Sequence, residues 1–95
     1  MTAPSKPPAD SPTPGQPGRV LLVDDQDELR QLLRRTLVKD GHDVTSASNG
    51  RVAVELAKQH HFDAVISDVR MPDMGGVELL RELQQQDPQL PVLLI

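Results

Sequence analysis

The chain has 95 residues, a formal net charge of -4, no cysteine and one aromatic residue, Phe62. It therefore has neither a disulfide framework nor a thiolate metal site, and no apolar run approaches the roughly 18 to 20 residues that span a bilayer. Its basic residues are scattered rather than clustered, which gives no electrostatic surface for nucleic acid. We expect a cytoplasmic protein that binds neither membrane nor nucleic acid through these residues.

A change in composition near residue 18 marks the one boundary in the sequence. Residues 1–18 hold six of the nine prolines and no aliphatic residue beyond Met1 and two alanines, so little apolar surface offsets the entropy cost of ordering. We expect a disordered, proline-rich N-terminal tail at 1–18 and one folded domain at 19–95. A polyproline ligand for a partner domain is a rarer interpretation of such a tail.

From Arg19 onward, short apolar runs alternate with longer stretches of helical period, which predicts βα units and a parallel sheet. Strands are predicted at 20–23, 44–47, 62–67 and 92–95, with a helix in each interval. The first run, VLLV, is apolar throughout, as expected for a strand that is covered on both faces. The predicted inner stripe of the first helix comprises Leu29, Leu32, Leu33, Thr36 and Leu37.

Local signals indicate the helix ends and the remaining inner faces. Gly41 is a stop signal for the first helix because glycine takes the left-handed conformation without steric cost, and Asn49 is a predicted N-cap of the second. The second helix is predicted to face the core with Ala53, Leu56 and Ala57. The third is predicted to do so with Val77, Leu80 and Leu83.

Three aspartates stand at the carboxyl ends of predicted strands. Asp24 and Asp25 follow the first strand, and Asp68 follows the third. Ligands of open parallel sheets bind beyond these ends, so the three carboxylates converge if strands one and three are neighbours. Carboxylates this close repel one another unless a cation lies between them, and their hard oxygens suit Mg²⁺. An aspartate beside Mg²⁺ can attack phosphorus, but position alone does not choose which of the three would do so.

Two runs, RVLLVDDQDELR and FDAVISDVRMPDMGG, together with PVLLI at the end, resemble the receiver domains of two-component response regulators. The resemblance covers residues 19–95. It implies an α/β fold, a flavodoxin-like three-layer parallel sheet of strand order 2-1-3-4-5, of which this chain would contain four strands and three helices. The domain would be incomplete at its carboxyl end, because the family's Ser or Thr after the fourth strand and Lys after the fifth would both follow Ile95.

The resemblance also implies a role for each acidic residue. Asp68 would be the phosphoryl acceptor, and Asp24 and Asp25 the pair that holds Mg²⁺. Asp68 itself and the backbone carbonyl of Arg70 would complete the metal ligands. The alternative for Asp24 and Asp25 is that they only cap the first helix, where acidic residues are favoured.

The loop after the acceptor matches the family at three positions. Met71 and Pro72 form its turn, and Gly76 would let the backbone bend close to the site. Met74, like Met71, is expected to pack against this loop. The histidines are expected to be solvated side chains beside helix ends, without a catalytic role: His42, His60 and His61.

The function implied is that of a receiver, which takes a phosphoryl group from a sensor histidine kinase or phosphotransfer protein and signals to an output domain or partner protein. Such a domain catalyses only its own phosphorylation and dephosphorylation, so no conventional enzyme is expected. The alternative is a phosphorylation-independent, receiver-like interaction module. A phosphohydrolase is disfavoured because its Asp-x-Asp arrangement is absent from the first strand, which ends in Asp24-Asp25-Gln26. We also expect the first helix to expose part of its leucine stripe and the chain to be unstable in isolation.

Overall fold

The structure is a computed structural model that describes residues 18–95. The predicted disordered tail, apart from Gly18, lies outside the described residues. Strands and helices alternate in the order that the sequence predicts: β1 (Arg19–Val23), α1 (Asp27–Lys39), β2 (Asp43–Ala47), α2 (Gly50–Gln59), β3 (Ala64–Ser67), α3 (Gly76–Gln86) and β4 (Val92–Leu94). The third strand begins two residues later than predicted.

All four strands are parallel, in the order β2-β1-β3-β4. β1 is an inner strand that pairs with both β2 and β3, and its run from Val20 to Val23 is at most 6% exposed. Continuous apolar character therefore corresponds to burial on both faces. The predicted α/β architecture and the order of these four strands are confirmed.

The core lies on the face of the sheet that α2 and α3 cover, and it is formed by Leu21, Val23, Ala47, Ala53, Val54, Phe62, Val65, Leu79, Leu83 and Leu90. The prediction for α2 is confirmed at Ala53, and Leu56 and Ala57 pack against the cluster as partly buried residues. Val54 of α2 is also buried in this cluster, which the sequence did not predict.

The predicted inner face of α3 is partly wrong. Leu83 is buried, but Val77 is 49% exposed and Leu80 is only half-buried. The buried residues are Gly76, Leu79 and Leu83, at positions i, i+3 and i+7. The helix turns this stripe inward because its first residue, Gly76, lies directly against the end of β3.

α1 covers the other face of the sheet over β1 and β2. None of its residues is buried, and Leu32 is 58% exposed, which confirms the expectation of an exposed leucine stripe. Leu93 in β4 shares its face with buried Leu22 through the register Leu22, Ile66 and Leu93, yet it is 59% exposed. Among residues 18–95, α1 does not extend far enough to cover the β4 side of this face.

Two helix ends agree with their sequence signals. Gly41 follows α1 with a φ of 95°, and the Asn49 side chain accepts a hydrogen bond of 2.9 Å from the Val52 amide at the start of α2. No helix in residues 18–95 has the length and apolar character needed to cross a membrane.

Candidate metal centre

The ends of β1 and β3 bring three aspartates together. Asp24, Asp25 and Asp68 each present a carboxylate oxygen, and these oxygens all lie within 4.8 Å of one another. The two strands are hydrogen-bonded neighbours, and the ladder continues past them because the Asp68 amide donates to the Val23 carbonyl at 3.0 Å. The convergence that strand order predicted is therefore present.

Asp24 is the aspartate of this cluster that is withdrawn from solvent and has one carboxylate oxygen without a hydrogen bond from the described residues. It is fully buried, and its Oδ1 accepts a hydrogen bond of 2.9 Å from the Gln26 amide. Its Oδ2 is buried without any hydrogen-bond partner among the described residues. A buried carboxylate oxygen without a partner is strongly unfavourable, and two further carboxylates beside it add repulsion. This arrangement fits a hard cation bound by oxygen ligands, such as Mg²⁺.

Asp68 is half-buried and makes the same type of turn as Asp24. Its Oδ1 accepts a hydrogen bond of 3.1 Å from the amide of Arg70, two residues ahead. In both Asp24 and Asp68, a hydrogen bond from a backbone amide to Oδ1 thus fixes the orientation of the carboxylate. The Arg70 residue is exposed, and the role of its carbonyl as a metal ligand stays a prediction.

The alternative of helix capping alone does not agree with the structure. The N-cap of α1 is Gln26, and no side chain of the described residues caps this helix end. The hydrogen bond from the Gln26 amide to Asp24 Oδ1 forms a turn before the helix begins. Asp25 is exposed beside this turn and belongs to the acidic cluster.

Arg30 is a neighbour of the site that the sequence analysis missed. Its Nη1 donates to the main-chain carbonyl of Asp24 at 2.8 Å, and its Nη2 donates to Asp27 Oδ1 at 2.6 Å. The three-residue spacing of Asp27 and Arg30 at a helix start was a visible signal, but it ordinarily indicates only a surface ion pair.

The loop from β3 to α3 contains a strained turn. The Met74 amide donates to the Pro72 carbonyl at 2.8 Å, and Asp73 between them has a φ of 70°. This is a γ-turn, which is uncommon in its positive-φ form. Met71 and Met74 are partly buried against the core rather than confined to the loop.

Gly76 closes this loop against the end of β3. A Cβ atom at this position would lie 2.5 Å from the Asp68 carbonyl oxygen. The Gly76 amide donates to the Val69 carbonyl at 2.9 Å. The close approach of two backbones, rather than an unusual φ, therefore requires glycine here.

The three histidines lie away from the acidic cluster, near the amino end of the sheet. His61 Nε2 is 3.3 Å from Asp63 Oδ1, and the exposed His60 ring stands edge-on to Phe62 at 6.5 Å. The expectation of solvation is wrong for His42, whose Nδ1 is buried without a hydrogen-bond partner among the described residues. Its ring packs so close to Gly18 that a Cβ there would lie 3.3 Å from Nδ1.

Comparison with known proteins agrees with this geometry. Residues 20–95 match the family described as the response regulator receiver domain. The chain belongs to this family. Receiver domains are signalling domains, and the parallel sheet with acidic residues at its carboxyl edge is the part of the fold that this chain shares with them.

Two curated relatives illustrate the similarity. The probable transcriptional regulatory protein TcrX of Mycobacterium tuberculosis is 40% identical over 81 residues, which are 85% of this chain and 35% of TcrX. The chemotaxis protein CheY of Bacillus subtilis is 40% identical over 77 residues, 80% of this chain and 64% of CheY. The receiver chain thus spans about a third of TcrX and less than two thirds of CheY.

Solved structures show the same fold. Chemotaxis protein CheY4 of Vibrio cholerae superimposes with a TM-score of 0.80 at 38% identity, covering 82% of this chain and 67% of that one. Response regulator TrrA of Thermotoga maritima, solved in complex with Mg²⁺-BeF, has a TM-score of 0.78 at 31% identity, covering 81% and 67%.

Proposed function

We propose that this receiver domain accepts a phosphoryl group on Asp68, with Mg²⁺ held by Asp24, Asp25, Asp68 and the backbone carbonyl of Arg70. The observation that carries the proposal is the buried Asp24 Oδ2, which has no hydrogen-bond partner among residues 18–95 and lies in a cluster of three carboxylates. The complex of TrrA with Mg²⁺-BeF supports the choice of cation. When bound, Mg²⁺ would neutralise charge on the phosphoryl oxygens.

In the proposed reaction a carboxylate oxygen of Asp68 attacks the phosphorus atom of the donor. A new O–P bond forms, the bond from phosphorus to the donor breaks, and its electron pair leaves with the donor. The Arg70 amide orients the attacking carboxylate through Oδ1, and the Gln26 amide does the same for Asp24. Gly76 contributes by letting α3 start directly behind the Asp68 backbone, and Met71 and Pro72 shape the intervening loop.

The donor we propose is a phosphohistidine of a sensor histidine kinase or of a phosphotransfer protein. A related pair, histidine kinase ThkA with response regulator TrrA, is solved as a complex. The receiver would pass the signal to an output domain or a partner protein in the cytoplasm and would catalyse only its own phosphorylation and dephosphorylation. The receiver would occupy 19–95, and residues 1–18 would be a tail outside it.

Intact-mass spectrometry of the full chain with Mg²⁺ and acetyl phosphate tests the acceptor. We expect one added phosphoryl group, which Asp68→Asn abolishes and which excess chelator prevents. Asp73→Asn is the matched control, because it removes an aspartate from the same loop and should leave labelling intact.

Equal labelling of the wild-type chain and Asp68→Asn would refute the assignment of the acceptor. A wild-type chain that circular dichroism shows to be folded, and that takes up no phosphoryl group, would overturn the proposed reaction. That second result would favour the alternative, a receiver-like module that binds its partner without phosphorylation.

A further inference from the structure

Arg30 links the acidic pocket to the first turn of α1 through two separate hydrogen bonds. One nitrogen binds the Asp24 carbonyl at 2.8 Å, and the other binds Asp27 Oδ1 at 2.6 Å. The Arg30 side chain is only 17% exposed, whereas that of Asp27 is 74% exposed. A planar guanidinium held at two nitrogens has one orientation, which a solvated surface arginine does not.

The carbonyl that Arg30 binds belongs to the peptide between Asp24 and Asp25. The orientation of this peptide depends on the ψ angle of Asp24 and the φ angle of Asp25, so a hydrogen bond to it restrains the backbone of both residues. This restraint also fixes the direction of the Asp24 carboxylate, because its Oδ1 accepts a hydrogen bond from the Gln26 amide. Its Oδ2 has no hydrogen-bond partner in the part of the chain that the structure describes.

We propose that Arg30 is a positioning residue for the metal-binding pair. By fixing the Asp24–Asp25 peptide, it holds two carboxylates in the arrangement that binds the cation. This inference rests on the proposed function for the presence of a Mg²⁺ site, but it assigns to Arg30 a role that is separate from phosphoryl transfer. It also explains why a partly buried arginine donates to a main-chain carbonyl beside three carboxylates.

A positioning role and a purely electrostatic role of Arg30 predict opposite changes in Mg²⁺ affinity when Arg30 is replaced. A positive charge beside the pocket repels a second cation, so removing it should tighten Mg²⁺ binding if charge were the main effect. Loss of positioning should weaken binding instead, by about 10-fold, the lower end of what mutation of residues that orient metal ligands costs. The sign of the change in affinity therefore separates the two.

The test is a calorimetric titration of the full chain with Mg²⁺ in the absence of any phosphoryl donor. We expect Arg30→Met to weaken binding about 10-fold, and Arg30→Lys to weaken it several-fold, because lysine keeps the charge but cannot bind both acceptors with a planar fork. Arg34→Met removes the same charge from an exposed position one turn further along α1, and should leave the affinity within about twofold or tighten it slightly.

A second readout needs no metal. In metal-free buffer, the Gln26 amide should exchange its hydrogen faster in Arg30→Met and Arg30→Lys than in the wild type, because the turn that it closes on Asp24 loses its anchor. If Arg30→Met does not fold, Arg30→Lys still provides the comparison, since it preserves the charge and most of the apolar stem.

The outcomes separate this proposal from the function on which it rests. A wild-type chain that binds no Mg²⁺ refutes the metal site and the role of Arg30 together. A wild-type chain that binds Mg²⁺ while the Arg30 variants bind it equally well or more tightly refutes the positioning role alone. Weakened binding in both variants, with the affinity of Arg34→Met within about twofold of the wild type or slightly tighter, supports it whether or not the chain is phosphorylated.

Discussion

Replacing Gly76 with alanine should destabilise the domain through one identifiable clash. The new Cβ would lie 2.5 Å from the Asp68 carbonyl oxygen and 3.0 Å from the Val69 Cα. These are backbone atoms that cannot rotate away. The end of β3 is also held on both sides, because the Asp68 amide binds the Val23 carbonyl at 3.0 Å and the Val69 amide binds the Ile95 carbonyl at 3.1 Å. The start of α3 must therefore move instead.

The size of the effect follows from that movement. An ordinary contact of 3.4 Å requires α3 to withdraw by about 0.9 Å, which would break the 2.9 Å hydrogen bond from the Gly76 amide to the Val69 carbonyl. Overpacking costs about 1 to 3 kcal/mol and the lost hydrogen bond about 1 kcal/mol. The higher helix propensity of alanine returns at most about 1 kcal/mol, which leaves a net loss of about 2 kcal/mol.

Gly50→Ala is the matched control, because Gly50 is the first residue of α2 as Gly76 is of α3. The three atoms nearest to its added Cβ all belong to the Met74 side chain, with Sδ at 2.8 Å, Cγ at 2.9 Å and Cβ at 3.0 Å. A change of the Met74 rotamer moves Sδ and Cγ, and a small shift of the loop relieves the contact with Cβ. The chain has no tryptophan or tyrosine, so thermal unfolding is best followed by circular dichroism. We expect Gly76→Ala to lower the melting temperature by roughly 10 °C. A loss no larger than that of Gly50→Ala would refute the reasoning.

Two further substitutions test the helices that support the site. Asn49→Ala removes the acceptor of the Val52 amide and should lower the free energy of unfolding by about 1 kcal/mol in urea denaturation, whereas Asn49→Asp keeps an acceptor oxygen and should not. Leu83→Ala empties a fully buried position and should cost about 2 to 5 kcal/mol, while Leu32→Ala at an exposed position should change stability by no more than about 0.5 kcal/mol. Equal losses at the two leucines would contradict the assigned inner face.

The acidic cluster could be predicted because two independent patterns in the sequence converge on it. An unbroken apolar run such as VLLV requires cover on both faces, which places β1 inside the sheet. Parallel neighbours end at the same edge, so the aspartates that follow β1 and β3 meet if these strands are neighbours, which the family resemblance implied and the structure confirms. Neither step depends on side-chain detail. The choice of Asp68 as acceptor did depend on the family resemblance, because all three aspartates stand at strand ends.

The inner face of α3 could not be decided from periodicity alone. Its apolar residues Val77, Leu79, Leu80 and Leu83 form two overlapping stripes, and both satisfy helical spacing. What selects the stripe with Leu79 is the close approach of Gly76 to β3, a contact between segments distant from the helix face itself. Arg30 was missed for a related reason, since its partner is a main-chain carbonyl and sequence patterns do not display such acceptors.

The pocket concentrates three acidic side chains, and the electrostatic cost of their proximity, in a small region of the domain. Three carboxylates lie together, and the one at Asp24 is fully buried with an oxygen that no described group satisfies. The two turns at Asp24 and Asp68 offset part of this cost through backbone amides, and Arg30 adds a positive charge, but neither reaches the free Oδ2. A cation that binds only the folded chain would raise stability in proportion to the logarithm of its concentration above the dissociation constant. If the proposed metal binds, its binding is therefore coupled to folding, and a change that loosens the pocket should lower both the stability and the metal affinity of the domain.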